Sequence, residues 1–231
     1  MKIKHLYHSG FQVETNSCYL VFDPISDMES IDSKKPVHVF VSHSHGDHFN
    51  LKILKKIAQL HDARFYMSQE MYGLIPNHTF KTAHYLSHYE QFSVDDIVVD
   101  TYGTTDLGNS YRVRVGETCF FHSGDLNWWH WESMTKSEQA QEANDYIIEI
   151  NKLLGQAIDF AFVPVDPRLK EHAYLAANYF IETLHPKFLL PMHAFGEYSF
   201  YSNLQNHLKM HSTTLIKVVD KNQIVFDSTM K

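Results

Sequence analysis

His43, His45, Asp47 and His48 lie in the run VFVSHSHGDHFN, Val39 to Asn50, three imidazoles and one carboxylate within six positions. Imidazole nitrogen and carboxylate oxygen together suit zinc, manganese or iron(II). Alternate residues of an extended chain point the same way, so His43 and His45 can aim at one point. Gly46 then lets the chain turn sharply, and Asp47 and His48 can aim at a neighbouring point. Two adjacent metals would need a shared carboxylate and another histidine from elsewhere. TCFFHSGDLN is a strand running into Asp125, and KFLLPMHAFG is a strand running into His193. Each places a ligand type at the end of an apolar strand. Three such ends converging on one edge would build a rigid site. The chain has 17 histidines, so number alone proves nothing and spacing has to carry the argument. His5, His61, His78, His207 and His211 fall in turns or on polar faces.

These groups need elements to hold them. IKHLY, FQVET and CYLVFD read as a meander with turns at Ser9-Gly10 and Asn16-Ser17. VHVFVS is a continuous apolar strand of the kind buried on both faces. Asn50 caps a following helix in which Leu51, Leu54, Ile57 and Ala58 recur at helical spacing. Strands RFYM, EQFSV, IVVDTY, SYRVRV and TCFFHS come next. A helix over 133–155 carries Tyr146, Ile147, Ile150, Leu153 and Leu154 in one stripe and stops at Gly155. Strand IDFAFVPV, helix LKEHAYLAANYFIETL, strand KFLLPMH, helix YSNLQNHLKM and two closing strands complete the chain. The order implies an α/β or α+β fold, with residues 1–231 as one domain.

The 231 residues can bury one sizeable core, and 44% hydrophobic with 20% charged residues is an ordinary globular composition. The net charge of −7 and the lack of a basic run argue against nucleic acid as a partner; Lys52, Lys55 and Lys56 read as one solvated helix face. No window reaches the apolar length of a membrane span. The start, MKIKHLYHSGF, lacks a signal-peptide core. Cys18 and Cys119 lie in apolar strands and read as buried thiols, which fits a cytoplasmic location.

HSHGDH after an apolar strand resembles the HxHxDH motif of the metallo-β-lactamase superfamily. Asp23 in YLVFDP is similar to the aspartate that buttresses the metal loop, Asp125 in SGD to the bridging carboxylate, and His193 in PMH to the last histidine ligand. HSGFQVET, with His8-Ser9 after the first strand, further resembles the ascorbate-6-phosphate lactonase-like branch. The resemblance implies a four-layer αββα sandwich. It also implies one metal position on Asp47, His48, Asp125 and His193, and another on His43, His45, Asp125 and a further histidine. That further histidine is missing. In TYGTTDLGNSYRV, Asp106 falls where it would stand. Asp106 is either a replacement ligand or a turn residue before Gly108. His122, before SGD, ranks second, and His84, His88 and His130 are other candidates. A weak or empty first position is the remaining alternative.

Trp128, Trp129 and Trp131 follow Asp125 in DLNWWHWE, as core packing, a subunit contact or an apolar wall over a substrate. The wall is the favoured reading, with Trp128 beside the substrate. Arg168 in DPR either clamps a phosphate or carboxylate or pairs with Asp166 or Glu171. His8 and His122 complete the candidate substrate contacts. The expected activity is metal-dependent hydrolysis of an ester, lactone or phosphoester in a small molecule. One or two divalent ions, zinc first and manganese or iron next, would activate water, and Asp47 would orient it or move its proton. A di-iron redox protein and a degenerate-site binding protein are the alternatives. Exposed aromatics leave room for a homo-oligomer.

Overall fold

The structure is a computed structural model that describes residues 1–28, 31, 34–60, 62–76 and 78–229. His61, read from sequence as a turn residue, lies outside the described residues. The first sheet holds strands β1 (Lys2–His5), β2 (Phe11–Glu14), β3 (Tyr19–Phe22), β4 (Val37–Val41), β5 (Ala63–Ser68) and β6 (Ala83–Leu86) in sequence order. The second holds β7 (Gln91–Val94), β8 (Ile97–Tyr102), β9 (Ser110–Val115), β10 (Thr118–His122), β11 (Phe160–Pro164), β12 (Phe188–Met192) and β13 (Thr214–Leu215). The closing strand β14 (Gln223–Asp227) returns to the first sheet beside β1.

Both sheets follow one plan. An antiparallel meander leads into parallel strands: β3, β4, β5 and β6 in one, β10, β11, β12 and β13 in the other. Phe11, Phe22, Phe40 and Tyr66 from the first sheet meet Tyr111, Phe120, Phe160 and Phe162 from the second in one apolar layer. Helix α1 (Leu51–Ile57) covers the outer face of the first sheet, and α2 (Lys136–Asn151) and α3 (Leu175–Leu184) cover that of the second. The result is the expected αββα sandwich. Its parallel strands end on one edge. β3 delivers Asp23, β4 delivers Ser42 and His43, and β10, β11 and β12 lead to Asp125, Asp166 and His193.

Local chemistry sets the helix ends. Asn50 accepts from the amides of Lys52 and Ile53 and so starts α1. Thr135 and Glu138 form a capping box, which moves the start of α2 to Lys136. Tyr146, Ile150 and Leu153 are buried as the stripe predicts, but Leu154 is exposed. The helix expected from Leu169 begins only at Leu175. A 3-10 stretch, Pro167–Tyr174, precedes it, broken at Lys170 by a left-handed backbone (φ 54°). YSNLQNHLKM likewise forms no α-helix; 3-10 turns run over Tyr198–Asn206. The first segment is capped, with Asp166 accepting from the Arg168 amide, but the break at Lys170 stops it; the second has no side-chain cap.

His38 on β4 is fully buried, with Nδ1 3.2 Å from the Tyr66 hydroxyl. Burial, assisted by Arg64, lowers its pKa from 6.5 to about 4. The unfolded chain therefore takes this proton at a higher pH than the folded protein does. The resulting stability is complete above pH 6.5 and is lost as pH falls towards 4. His38→Gln is expected to remove about 2–3 kcal/mol of the stability lost between pH 7 and 4.5. Urea unfolding of both proteins at the two pH values checks this. Equal losses in both would contradict it.

Candidate metal centre

The site grows from Asp23, a fully buried carboxylate just beyond β3. Oδ1 accepts from the Ser42 amide at 2.7 Å, and Oδ2 accepts from the Ser42 hydroxyl at 2.7 Å and from His48 Nδ1 at 2.7 Å. The Ser42 hydroxyl, having donated to Asp23, is left to accept from His43 Nδ1 at 2.9 Å. Both rings thus have Nδ1 engaged and Nε2 turned outward, the arrangement that orients histidine ligands. The backbone turn is tight, with the His48 and Phe49 amides both donating to the His45 carbonyl.

Two loops of the second sheet press on this turn. Gly108 has φ +77°, and a Cβ there would lie 2.0 Å from the Ser42 carbonyl oxygen. Gly124 has φ +52°, and its Cβ would meet Ser42 Cβ at 2.8 Å. Only glycine fits at either place. Through Gly124 the chain brings Asp125 over the histidines. His48 Nε2 and His193 Nε2 each lie 3.0 Å from Asp125 Oδ1, and His43 Nε2 lies 3.5 Å from Oδ2. His45 Nδ1 is 3.0 Å from His43 Nε2. His193 in turn faces the buried Asp166, Nδ1 to Oδ2 3.6 Å.

Three overlapping groups have donor atoms close enough to share an ion: His43, His45 and Asp125; His43, Asp47 and His48; and His8, His48 and His193. Asp125 Oδ1 and His193 Nε2 are buried without a hydrogen-bond partner, although they lie 3.0 Å apart. Donor atoms crowded without hydrogen-bonding geometry are what a cation needs, and nitrogen with carboxylate oxygen suits a divalent transition metal. The residues therefore fit a metal.

The electrostatics agree. Burial opposes charge on His48, yet Asp125 and Asp23 outweigh it and push its pKa up to about 10. Burial likewise opposes charge on Asp125, but His193 and His48 hold it well below the usual carboxylate range. His43 is lowered to about 4, by burial and then by His48. His8 is lowered further, by burial and then by His193 and His48. The carboxylates thus draw positive charge to His48 and His193, while His43 and His8 are held neutral.

A cavity of about 320 Å³ opens here, lined in part by His45, Asp47, Asp125, Trp129, Trp131 and Arg168. Asp106 lines it too, but its nearest donor is His45 Nδ1 at 3.9 Å, and it stays outside the three groups. His122 is a correction. It is buried behind the site, with Nε2 on the Ser9 carbonyl (2.8 Å), Nδ1 accepting from the Gly124 amide (3.2 Å) and its ring stacked on Phe22. It supports the Asp125 loop and cannot reach a substrate. Trp128 is a second correction. It packs on Tyr146 and Tyr179, while Trp129 and Trp131 stack on each other and line the cavity. Arg168 pairs with Asp166 through Nε and Nη2, and its guanidinium lies 4.2 Å from the Phe195 ring centroid. His88 Nε2 donates to the Gly108 carbonyl at 2.9 Å, His84 stacks on Tyr66, and His130 packs on His172, so none of these three joins the groups. Sequence reasoning missed Ser42. Its signal was a hydroxyl between an apolar strand and the first histidine.

Residues 2–193 match the family model described as a beta-lactamase superfamily domain. The chain belongs to the metallo-β-lactamase superfamily. Within it, a UPF0173 metal-dependent hydrolase of Nanoarchaeum equitans is 24% identical over 213 residues, covering 84% of this chain and 83% of that protein. Igni18, a metallo hydrolase from Ignicoccus hospitalis, shares the fold with a TM-score of 0.66 at 17% identity, over 98% of each chain. The diiron β-hydroxylase CmlA of Streptomyces venezuelae shares it with a TM-score of 0.59 at 12% identity, over 85% of this chain. This chain spans only 45% of the CmlA chain.

Asp23→Ala would leave the Ser42 amide and His48 Nδ1 buried without their acceptor. It is expected to cost about 3–5 kcal/mol of stability and to weaken metal binding about 10–100-fold. Urea unfolding and competition with a chromophoric chelator measure the two effects. A variant that matches wild type in both would contradict the role of Asp23.

Proposed function

We propose that this chain is a metal-dependent hydrolase that cleaves an ester, lactone or phosphoester bond in a small molecule. The observation that carries the reading is Asp125, whose two oxygens face different histidines, His43 on one side and His48 with His193 on the other. A carboxylate so placed suits two adjacent ions. The first position would use His43, His45 and Asp125, and the second His48, His193 and Asp125, with Asp47 beside both. A nitrogen-rich set favours zinc, with manganese or iron as substitutes. A bound divalent ion lowers the pKa of its water from 15.7 to about 7 and polarises the attacked oxygen.

The protein's own groups would do the rest. Asp47, part-exposed and lining the cavity, would orient the attacking water and carry its proton. Trp129 and Trp131 would hold the apolar part of the substrate, and Arg168, fixed by Asp166, would face its anionic part. Hydrolase relatives in the same superfamily support the reaction class. A redox role on iron would call for a carboxylate in the first position. Asp106 stands 3.9 Å from His45 and outside its ligand group, which favours hydrolysis. The reading takes residues 1–231 as one domain. Two buried free thiols suit a cytoplasmic setting, and no described helix is long and apolar enough to cross a membrane.

A panel of chromogenic esters, lactones and phosphoesters tests the proposal. Metal-loaded protein should turn over at least one class, a chelator should abolish turnover, and Asp47→Asn should lower kcat by at least about 100-fold. Turnover that survives the chelator, or an Asp47→Asn variant with unchanged kcat, would contradict it.

A further inference from the structure

We propose that His8 is itself a metal ligand, the third imidazole of the position built on His48 and His193. The proposal rests on the metal-centre reading above and goes beyond it in naming a donor outside the HSHGDH loop and the SGD and PMH strand ends.

His8 sits in the turn between β1 and β2, which the Leu6 amide closes on the Gly10 carbonyl at 2.8 Å and the Gly10 amide on the Tyr7 carbonyl at 2.7 Å. Its backbone is left-handed, φ 55°, a conformation costly for a side chain of this size. That backbone turns the ring inward, where it is fully buried. The ring is fixed on three sides, 4.3 Å from the His193 ring, 4.0 Å from that of Phe195 and edge-on to His48 at 5.5 Å. Yet neither ring nitrogen has a hydrogen-bond partner. A buried polar group left unpaired is unfavourable. Strain and burial together are spent on an imidazole that satisfies nothing within the protein.

The position of the ring supplies the reason. The donor atoms of His8, His48 and His193 lie within 4.8 Å of one another. His8 Nε2 is 3.5 Å from Asp47 Oδ2. Two donors about 2.0–2.1 Å from one zinc at a tetrahedral angle sit roughly 3.3 Å apart. Three imidazoles and Asp125 would complete four-coordination at this position. Asp47, with its Oδ2 3.5 Å from His8 Nε2, stands beside this set. The competing role for His8 is to orient Asp47 through their 3.5 Å contact, without touching the metal.

Zinc and cobalt(II) alone are sufficient probes. Chelator competition gives zinc affinity, and the visible absorption of the cobalt-loaded protein reports coordination. His8→Gly suits the left-handed backbone and leaves a ring-sized space. It should weaken one zinc site by more than about 100-fold, beyond the range of an orienting partner. It should also change the cobalt spectrum, and added imidazole should restore both. His8→Asn, which also tolerates this backbone, should show the first two effects. Wild-type affinity and spectrum in either folded variant would overturn the assignment alone. Wild-type protein that takes up neither ion would overturn the metal-centre reading and this assignment with it.

Discussion

Asp23 is the constraint on which the site depends. A carboxylate with no solvent contact must find compensation within the protein, and it takes the Ser42 amide, the Ser42 hydroxyl and His48 Nδ1 at 2.7 Å each. Those bonds set the direction of the loop after β4 and the orientation of two of its histidines. Because β3 and β4 are parallel neighbours, their ends lie side by side, and the contact needs no long-range luck. The second sheet completes the arrangement from above. Gly108 and Gly124 let its loops reach Ser42, and Tyr111 donates to the Val41 carbonyl at 2.9 Å, tying the sheets together just behind the site.

The charges follow the same plan. Asp23, Asp125 and Asp166 are all buried, and each faces a histidine of the centre. In the protein alone, a proton on His48 supplies the positive charge they draw. A divalent ion would take that role and displace the proton, so metal uptake and proton release are coupled. Outside this cluster lies a mixed cavity wall of Trp129, Trp131 and Arg168, where the proposed hydrolase would hold the apolar and anionic parts of its substrate.

Much of this was legible in the sequence. Apolar runs ending in HSHGDH, SGD and PMH mark parallel strands whose ends must carry the ligands, and the structure brings all three ends to one edge. The sandwich layers followed from the family resemblance, since the strand pattern alone allowed several folds. What failed depended on direction and contact. His122 alternates with Phe121 along β10, and nothing local says that its ring points behind the site to the Ser9 carbonyl. Trp128, Trp129 and Trp131 look equivalent in DLNWWHWE, but an irregular loop has no period from which to read faces. His8 was read as a candidate substrate contact, and its place against His48 and His193 was not legible because those residues are 40 or more positions away. The short 3-10 stretches were read as helices because apolar spacing does not distinguish a first turn that can propagate from one that cannot.

A two-ion centre shared by Asp125 is tested most directly by elemental analysis of protein purified without added metal or chelator, alongside Asp125→Ala. Two divalent ions per chain are expected in wild type and at most one in the variant. No bound metal in wild type, even after dialysis against zinc, or an undiminished count in Asp125→Ala, would contradict it.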